Sequence, residues 1–337
     1  MIQKITPNIF RLATKELTQD SFFVWLLLWA DQAHSAIDPA LNRAAQDFVK
    51  LLVGQSGDYK VLNVNAGRQL QNIDLWAEVN DEYFICIEDK TNTGAHSGQL
   101  SRYKEFILER YNGKPHILRF VYLKTGNEST ATLNLIREQD GYTVIDRKAV
   151  LQILNSHQVN NNIFNDFCAY LSALEELTTS YASFDIVNNE MSAAEGFYVE
   201  LQQLIPEWTD WKYVSNPTGG FLGFWYHWVK AESFELYIQI ENRLKSDIRV
   251  TIKISGLDLK IETLNQVCSE VRLLGLEYGL DIVRPKKYRL GKTSTLAIVD
   301  NAVPQTINHL IDMPQLLLTL QSIQVVLDLY AANTSMN

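Results

Sequence analysis

Apolar residues recur along the chain with two different spacings, and the changes of spacing divide it into elements. Residues 22–32 are apolar nearly all round, which predicts a buried helix. Asp38 reads as a helix cap with Pro39 at the first helical position. Leu41, Ala44, Ala45, Phe48, Val49 and Leu52 then recur at helical spacing until Gly54 stops the helix. Strands are predicted around 59–64, Ile73–Val79 and Tyr83–Lys90, with polar Asn80-Asp81-Glu82 as a hairpin turn. A helix over 99–112 closes at Gly113 and leads through Pro115 into a strand, Ile117–Lys124. The order so far is helix, three strands, helix, strand.

Beyond this stretch, 142–145 adds a strand, Asp146 caps a helix running toward Leu154, and 161–177 is helical. The polar run Asn188-Asn189-Glu190 marks a boundary. After it come a helix over 193–205, an antiparallel meander over 221–229, 234–240 and 248–254, a helix over 259–278, strands at Ile282 and Leu296, and a last helix from about Pro314. With 337 residues and 46% hydrophobic content the chain is large enough for two cores, so domains at 1–185 and 186–337 are expected, the second an α+β unit. Cys86, Cys168 and Cys268 are odd in number, far apart and in apolar surroundings, which fits buried thiols in a reducing cytoplasm better than disulfides or a zinc site. No amino-terminal signal is visible, and the apolar run 22–30 is too short to cross a bilayer, so no membrane partner is expected.

The hairpin carries the candidate chemistry. If its turn centres on Asp81, Asp74 and Glu88 are equidistant from it and face one another across the strands. Side chains alternate along a strand, so Lys90 shares that face and Asp89 points to the other. Two carboxylates this close require a proton or a divalent cation between them. Hard oxygen donors suit Mg²⁺ or Mn²⁺, with the Asp89 backbone carbonyl as a third ligand beside Asp74 and Glu88. A metal held this way keeps positions for water and a phosphate oxygen, and Lys90 stands beside the attacking water. The competing reading is a structural ion pair of Asp74, Glu88 and Lys90.

Asp74 followed by Glu88-Asp89-Lys90 resembles the core motif of the PD-(D/E)XK nuclease superfamily. Gln99 and Tyr103, on one face of the next helix, look like the Gln-x-x-x-Tyr motif of its RecB-like branch. The resemblance spans roughly 20–125. It implies a restriction-endonuclease-like αβββαβ core, an α/β fold whose mixed sheet is flanked by helices, and a metal-dependent nuclease acting on DNA, in phage defence, mobile-element biology or repair. Its site residues would be Asp74, Glu88, Lys90, Gln99 and Tyr103. Many relatives place a further metal-binding Glu on the preceding helix, where this chain offers only Gln46 and Asp47. The alternative is a nuclease fold without catalysis, serving as a nucleic-acid-binding or protein-interaction module.

A net charge of -9 argues against a nucleic-acid coat protein but not against a nuclease, because local potential decides. The most basic stretch holds Arg284, Lys286, Lys287, Arg289 and Lys292 and is expected to contact phosphates or to be a solvated turn. Trp225, His227 and Lys230 share an aromatic-rich strand that could stack bases, although alternate aromatics are more often core. The other histidines show no ligand spacing, and His96 alone falls near the hairpin. Nucleic acid, DNA first, is the expected partner, and a homodimer is left open.

Overall fold

The structure, a computed structural model, describes residues 7–13, 16–91, 93–94, 98–216, 219–231, 233–257 and 259–335. Two compact units divide the chain: residues 1–128 with 132–176, and residues 129–131 with 177–337. The elements begin with α1 Ile9–Leu12, α2 Glu16–Trp29, α3 Pro39–Val53, β1 Val64–Leu70, β2 Ile73–Val79, β3 Tyr83–Lys90, α4 Gln99–Arg110 and β4 Ile117–Lys124. They continue with α5 Thr130–Leu135, β5 Thr143–Asp146, α6 Arg147–Asn155 and α7 Asn162–Thr179.

The first sheet has the order β1-β2-β3-β4-β5. Its first three strands are antiparallel because two tight hairpins join them. Gln71 and Asn72 (φ 52° and 70°) make one turn, and Asn80 and Asp81 (φ 58° and 52°) the other. Two successive left-handed residues give a turn whose twist matches that of paired strands, and Asn and Asp tolerate that conformation better than other side chains. The chain then crosses over through α4, so β4 runs parallel to β3, and β5 runs parallel to β4. Helices cover both faces. On one, Leu75, Ile85, Ile87 and Val121 meet Phe23, Phe48 and Phe167 from α2, α3 and α7. On the other, Ile107 of α4 and Tyr111 pack on Ile73, Phe84 and Cys86. All eight residues of β3 are buried in consequence, which is why it reads as an unbroken apolar run. This mixed sheet between helices has the αβββαβ order that the resemblance implies.

The first strand is not where its sequence suggested. Residues 59–63 form no strand; β1 begins at Val64 and runs through Gly67 to Leu70. The Asn80 side chain takes the place of a strand partner for the expected segment, accepting from the amides of Leu62 and Asn63 and donating to the carbonyl of Lys60. Gly67 lets β1 lie against the Trp76 indole, 2.8 Å from where a Cβ would stand.

The second unit comprises α8 Phe184–Asn189, α9 Met191–Leu204, β6 Thr209–Val214, β7 Phe221–Ala231, β8 Phe234–Arg243, β9 Asp247–Gly256, α10 Ile261–Glu277, β10 Ile282–Val283, β11 Thr293–Val299 and α11 Met313–Ser335. Its six strands form one antiparallel sheet of order β10-β11-β9-β8-β7-β6. Alternate residues such as Phe224, Leu236, Ile238, Ile240 and Ile252 point to one face, where α9, α10 and α11 pack. By length and composition α11 could cross a membrane, and here Leu316, Leu320, Ile323 and Leu327 lie in the core of this unit.

Candidate active site

Pairing of β2 with β3 runs from Val79↔Tyr83 to Leu75↔Ile87, so one further step sets Asp74 opposite Glu88. Lys90 reaches back along β3 to both. Its Nζ lies 3.0 Å from Asp74 Oδ2, 2.5 Å from Glu88 Oε1 and 3.2 Å from the carbonyl oxygen of Asp89. The ammonium therefore sits among the three oxygens that the sequence nominates as metal ligands. Asp74 Oδ2 also accepts from the Asp89 amide at 3.1 Å, which fixes the carboxylate at the strand edge.

Glu88 is fully buried, and its Oε2 meets no donor. Burial first, and the Asp74 charge second, push the Glu88 carboxyl up to about 8. Burial opposes the Lys90 charge, yet the two carboxylates outweigh it and hold the ammonium above its ordinary value. Among the described residues no cluster of three or more His, Cys, Asp or Glu side chains could hold a metal. The donor set here is two carboxylates and one carbonyl, all oxygen, with lone pairs on Glu88 still unfilled. That set fits a hard divalent cation.

Asp89 points to the opposite face and is buried there against α2. Its Oδ1 accepts from Gln19 Nε2 at 2.6 Å, and Gln19 Oε1 accepts from the Thr125 hydroxyl at 2.8 Å. Asp20 is its other neighbour. Burial pushes Asp20 up to about 6, and burial with the Asp20 charge pushes Asp89 well above the usual carboxylate range. Asp20 Oδ1 and Asp89 Oδ2 are buried and meet no donor.

The segment leaving β3 is clamped from three sides. Glu16, first residue of α2, accepts from the Thr91 amide at 3.2 Å and the Thr93 hydroxyl at 2.7 Å. Lys124, which pairs with Lys90 across the parallel strands, is 2% exposed and donates to the Thr93 carbonyl at 2.8 Å. Gly126 lies so close that a Cβ would stand 1.9 Å from the Thr91 carbonyl oxygen. On α4, Gln99 Nε2 donates to the Tyr103 hydroxyl at 3.0 Å. Burial raises the Tyr103 phenol while this hydrogen bond lowers it, and the charges of Glu88, Asp74 and Lys90 reach it too. The Tyr103 ring also packs with Ile73, Phe84 and Ile107. The structure thus gathers Asp74, Glu88, Asp89 and Lys90 tightly, with Gln99 and Tyr103 on the helix covering the same face.

A family model for the PD-(D/E)XK nuclease superfamily matches residues 7–183, the span that contains this sheet and its acidic edge. The chain belongs to that superfamily. No curated protein and no solved structure matches it. PD-(D/E)XK nucleases generally use divalent metals, in keeping with the oxygen donors at the β2–β3 edge.

Membership sharpens the question of which helix serves the site. Sequence reasoning looked to Gln46 and Asp47 on α3, and both are engaged elsewhere. Gln46 donates to the carbonyls of Ala30 and Val61, and Asp47 pairs with Lys50 and His157. The helix that meets the end of β3 is α2, through Glu16, Gln19 and Asp20. The only signal in the sequence was their spacing of three to four, which puts them on one helical face.

In the second unit the basic stretch does not form one patch. Arg284, Lys286 and Lys287 line a groove of about 750 Å³ with Arg249, and the Arg284 guanidinium lies 4.8 Å above the ring of buried Tyr288. Arg289 is exposed on the segment before β11, and Lys292 lines a different cavity with Lys230 and Glu235. His227, at a bulge in β7 with φ 57°, is held between Glu207 and Asp328, each 3.1 Å from a ring nitrogen. Trp225 is half-buried, with Lys212 5.7 Å from its ring centre. His96 lies outside the described residues.

Proposed function

We propose that this chain is a Mg²⁺-dependent deoxyribonuclease that hydrolyses DNA phosphodiester bonds at the Asp74–Glu88–Lys90 edge, with Mn²⁺ as an effective substitute. One observation carries the reading: three oxygens from Asp74, Glu88 and Asp89 converge on a single point now held by the Lys90 ammonium. A divalent cation there would supply Lewis-acid activation of water and of the scissile phosphate. Asp74 and Glu88 hold it, the Asp89 carbonyl completes the protein's share, and Lys90, freed from these oxygens, orients the water and offsets charge developing on the phosphate. Gln99 and Tyr103 position a phosphate or the attacking water from α4. Glu16 keeps the segment after Lys90 in place. The second unit recognises the substrate through Arg284, Lys286 and Lys287, with Arg289 and Lys292 at its margins.

The test is incubation with linear, circular and single-stranded DNA in Mg²⁺ or Mn²⁺, together with Mn²⁺ titration of wild type and Asp74→Ala. Cleavage and Mn²⁺ binding in wild type, both lost in Asp74→Ala, support the proposal. A trio that serves only as a structural ion pair gives no Mn²⁺ binding in either protein.

A further inference from the structure

Among the described residues of its own unit, the second sheet is covered by helices on one face only. On the other face, among the described residues, no hydrophobic cluster is built. Strand registers show what stands there instead. One cross-strand row runs Trp225, Gln239, Thr251, Ile298, Val283, its ends half-buried and Gln239 and Thr251 buried in its middle, and a second runs Tyr237, Lys253, Thr295. At the β7 end the aromatic rings form a continuous series. Trp228 stacks on Tyr237 with centres 5.1 Å apart and planes at 19°, and Trp208, 60% exposed, lies 5.3 Å beyond Trp228. At the β10 end, Arg249, Val283 and Ile298 of this face line the groove bordered by Arg284, Lys286 and Lys287. The row from Trp225 to Val283 crosses four strand spacings, roughly 19 Å at about 4.8 Å each.

The charges on this face are sorted. Glu241, 3% exposed, is held between Arg243 and Lys253, and Asp247 is paired with Arg249. Lys212 and Lys292 border the face outside these pairs, Lys230 stands opposite Glu235, and Asp210 stands opposite Trp225. A chain of net charge -9 thus places Lys212 over the half-buried Trp225 indole and Lys230 and Lys292 at the margin of the same face. Stacked aromatic rings bordered by cations are the means by which proteins hold unpaired bases and track their phosphates, because every base has a face to stack. A duplex hides those faces.

We infer that the open face of the second sheet binds single-stranded nucleic acid, with bases stacked on Trp208, Trp228 and Trp225 and phosphates leading into the Arg284–Lys287 groove. This rests on the nuclease reading for its biological sense, and it gives that nuclease a substrate with unpaired bases. Its test is independent of cleavage. Labelled oligo-dT, oligo-rU and a matched DNA duplex are titrated by anisotropy in EDTA against the full chain carrying Asp74→Ala, while tryptophan emission is followed. Single strands should bind more tightly than duplex and quench the emission. Trp208→Ala with Trp228→Ala should weaken single-strand binding by about 5- to 150-fold per lost stacking ring, from about 1–3 kcal/mol per stacked base. Trp228→Phe should retain most of it. If the double variant melts early, Trp208→Ala alone carries the test, since that ring is mostly exposed. Duplex preferred over single strand, no nucleic acid bound at all, or unchanged single-strand affinity in a folded Trp208→Ala protein overturns the inference. Single-strand binding without cleavage in wild type upholds it and defeats the nuclease reading instead.

Discussion

At the scale of single residues, the site is a set of charges that folding forces together. Asp74→Ala, Glu88→Ala and Lys90→Ala should each abolish cleavage in Mg²⁺, the first two by removing ligands and the third by removing the charge beside the water. Because the groups act as a unit, Asp74→Ala with Glu88→Ala should be no worse than either alone, and a gel assay of linear DNA decides. Burial also sets a pH dependence. Glu88 and Asp20 have folded values near 8 and 6, above their unfolded values of 4.5 and 3.8, so the folded protein binds more protons than the unfolded chain between about pH 4 and 8. Stability in EDTA should therefore fall as pH rises through that window, and Glu88→Gln should flatten the fall; thermal melting from pH 5 to 8 measures both. Tyr103→Phe keeps the packed ring and removes the hydroxyl that Gln99 binds. Lost cleavage with unchanged melting is the expected result, and Gln99→Ala should be milder than any change at Asp74, Glu88 or Lys90.

At the scale of elements, hairpin phase decides what faces what. The convergence of Asp74, Glu88 and Lys90 was legible because alternation along a strand and the centre of one turn fix both faces, and Asn80-Asp81 adopts the left-handed turn that its residue types favour. Position 64–70 was misread because a side chain, Asn80, satisfies the segment before it, and strand patterns do not record such substitution. Glu16, Gln19 and Asp20 were missed for another reason. Their partners Thr91 and Asp89 are about seventy positions away, and a contact that long leaves no periodic trace. The tether has a measurable role: Gln19→Ala should weaken Mn²⁺ affinity by roughly 10- to 100-fold, the usual effect of removing an outer-shell partner, as calorimetry can show. Gly126→Ala drives a methyl into the Thr91 carbonyl. It should cost about 1–3 kcal/mol of stability in denaturant melts and displace the residue after Lys90.

For the whole molecule, the proposed chemistry lies in the first unit and the proposed recognition in the second. Replacing Lys286, Lys287 and Arg289 by Ala should lower DNA affinity and flatten its salt dependence by roughly 0.9 log units per lost phosphate contact, while cleavage at saturating substrate survives. Affinity measured across a salt series is the check, and an unchanged slope would mark the segment as a solvated turn. The placement of the site in the chain has a consequence in time. Glu16 to Gly126 holds every group placed at the β2–β3 edge, and the first unit is complete once residue 176 is made. With residues 177–337 still to be joined, at about 5–20 residues per second, the proposed hydrolytic unit precedes the proposed recognition unit by roughly 8–30 s on the ribosome. Newly made chains would then pass through an interval in which the proposed metal edge exists and the surface proposed to select its substrate does not.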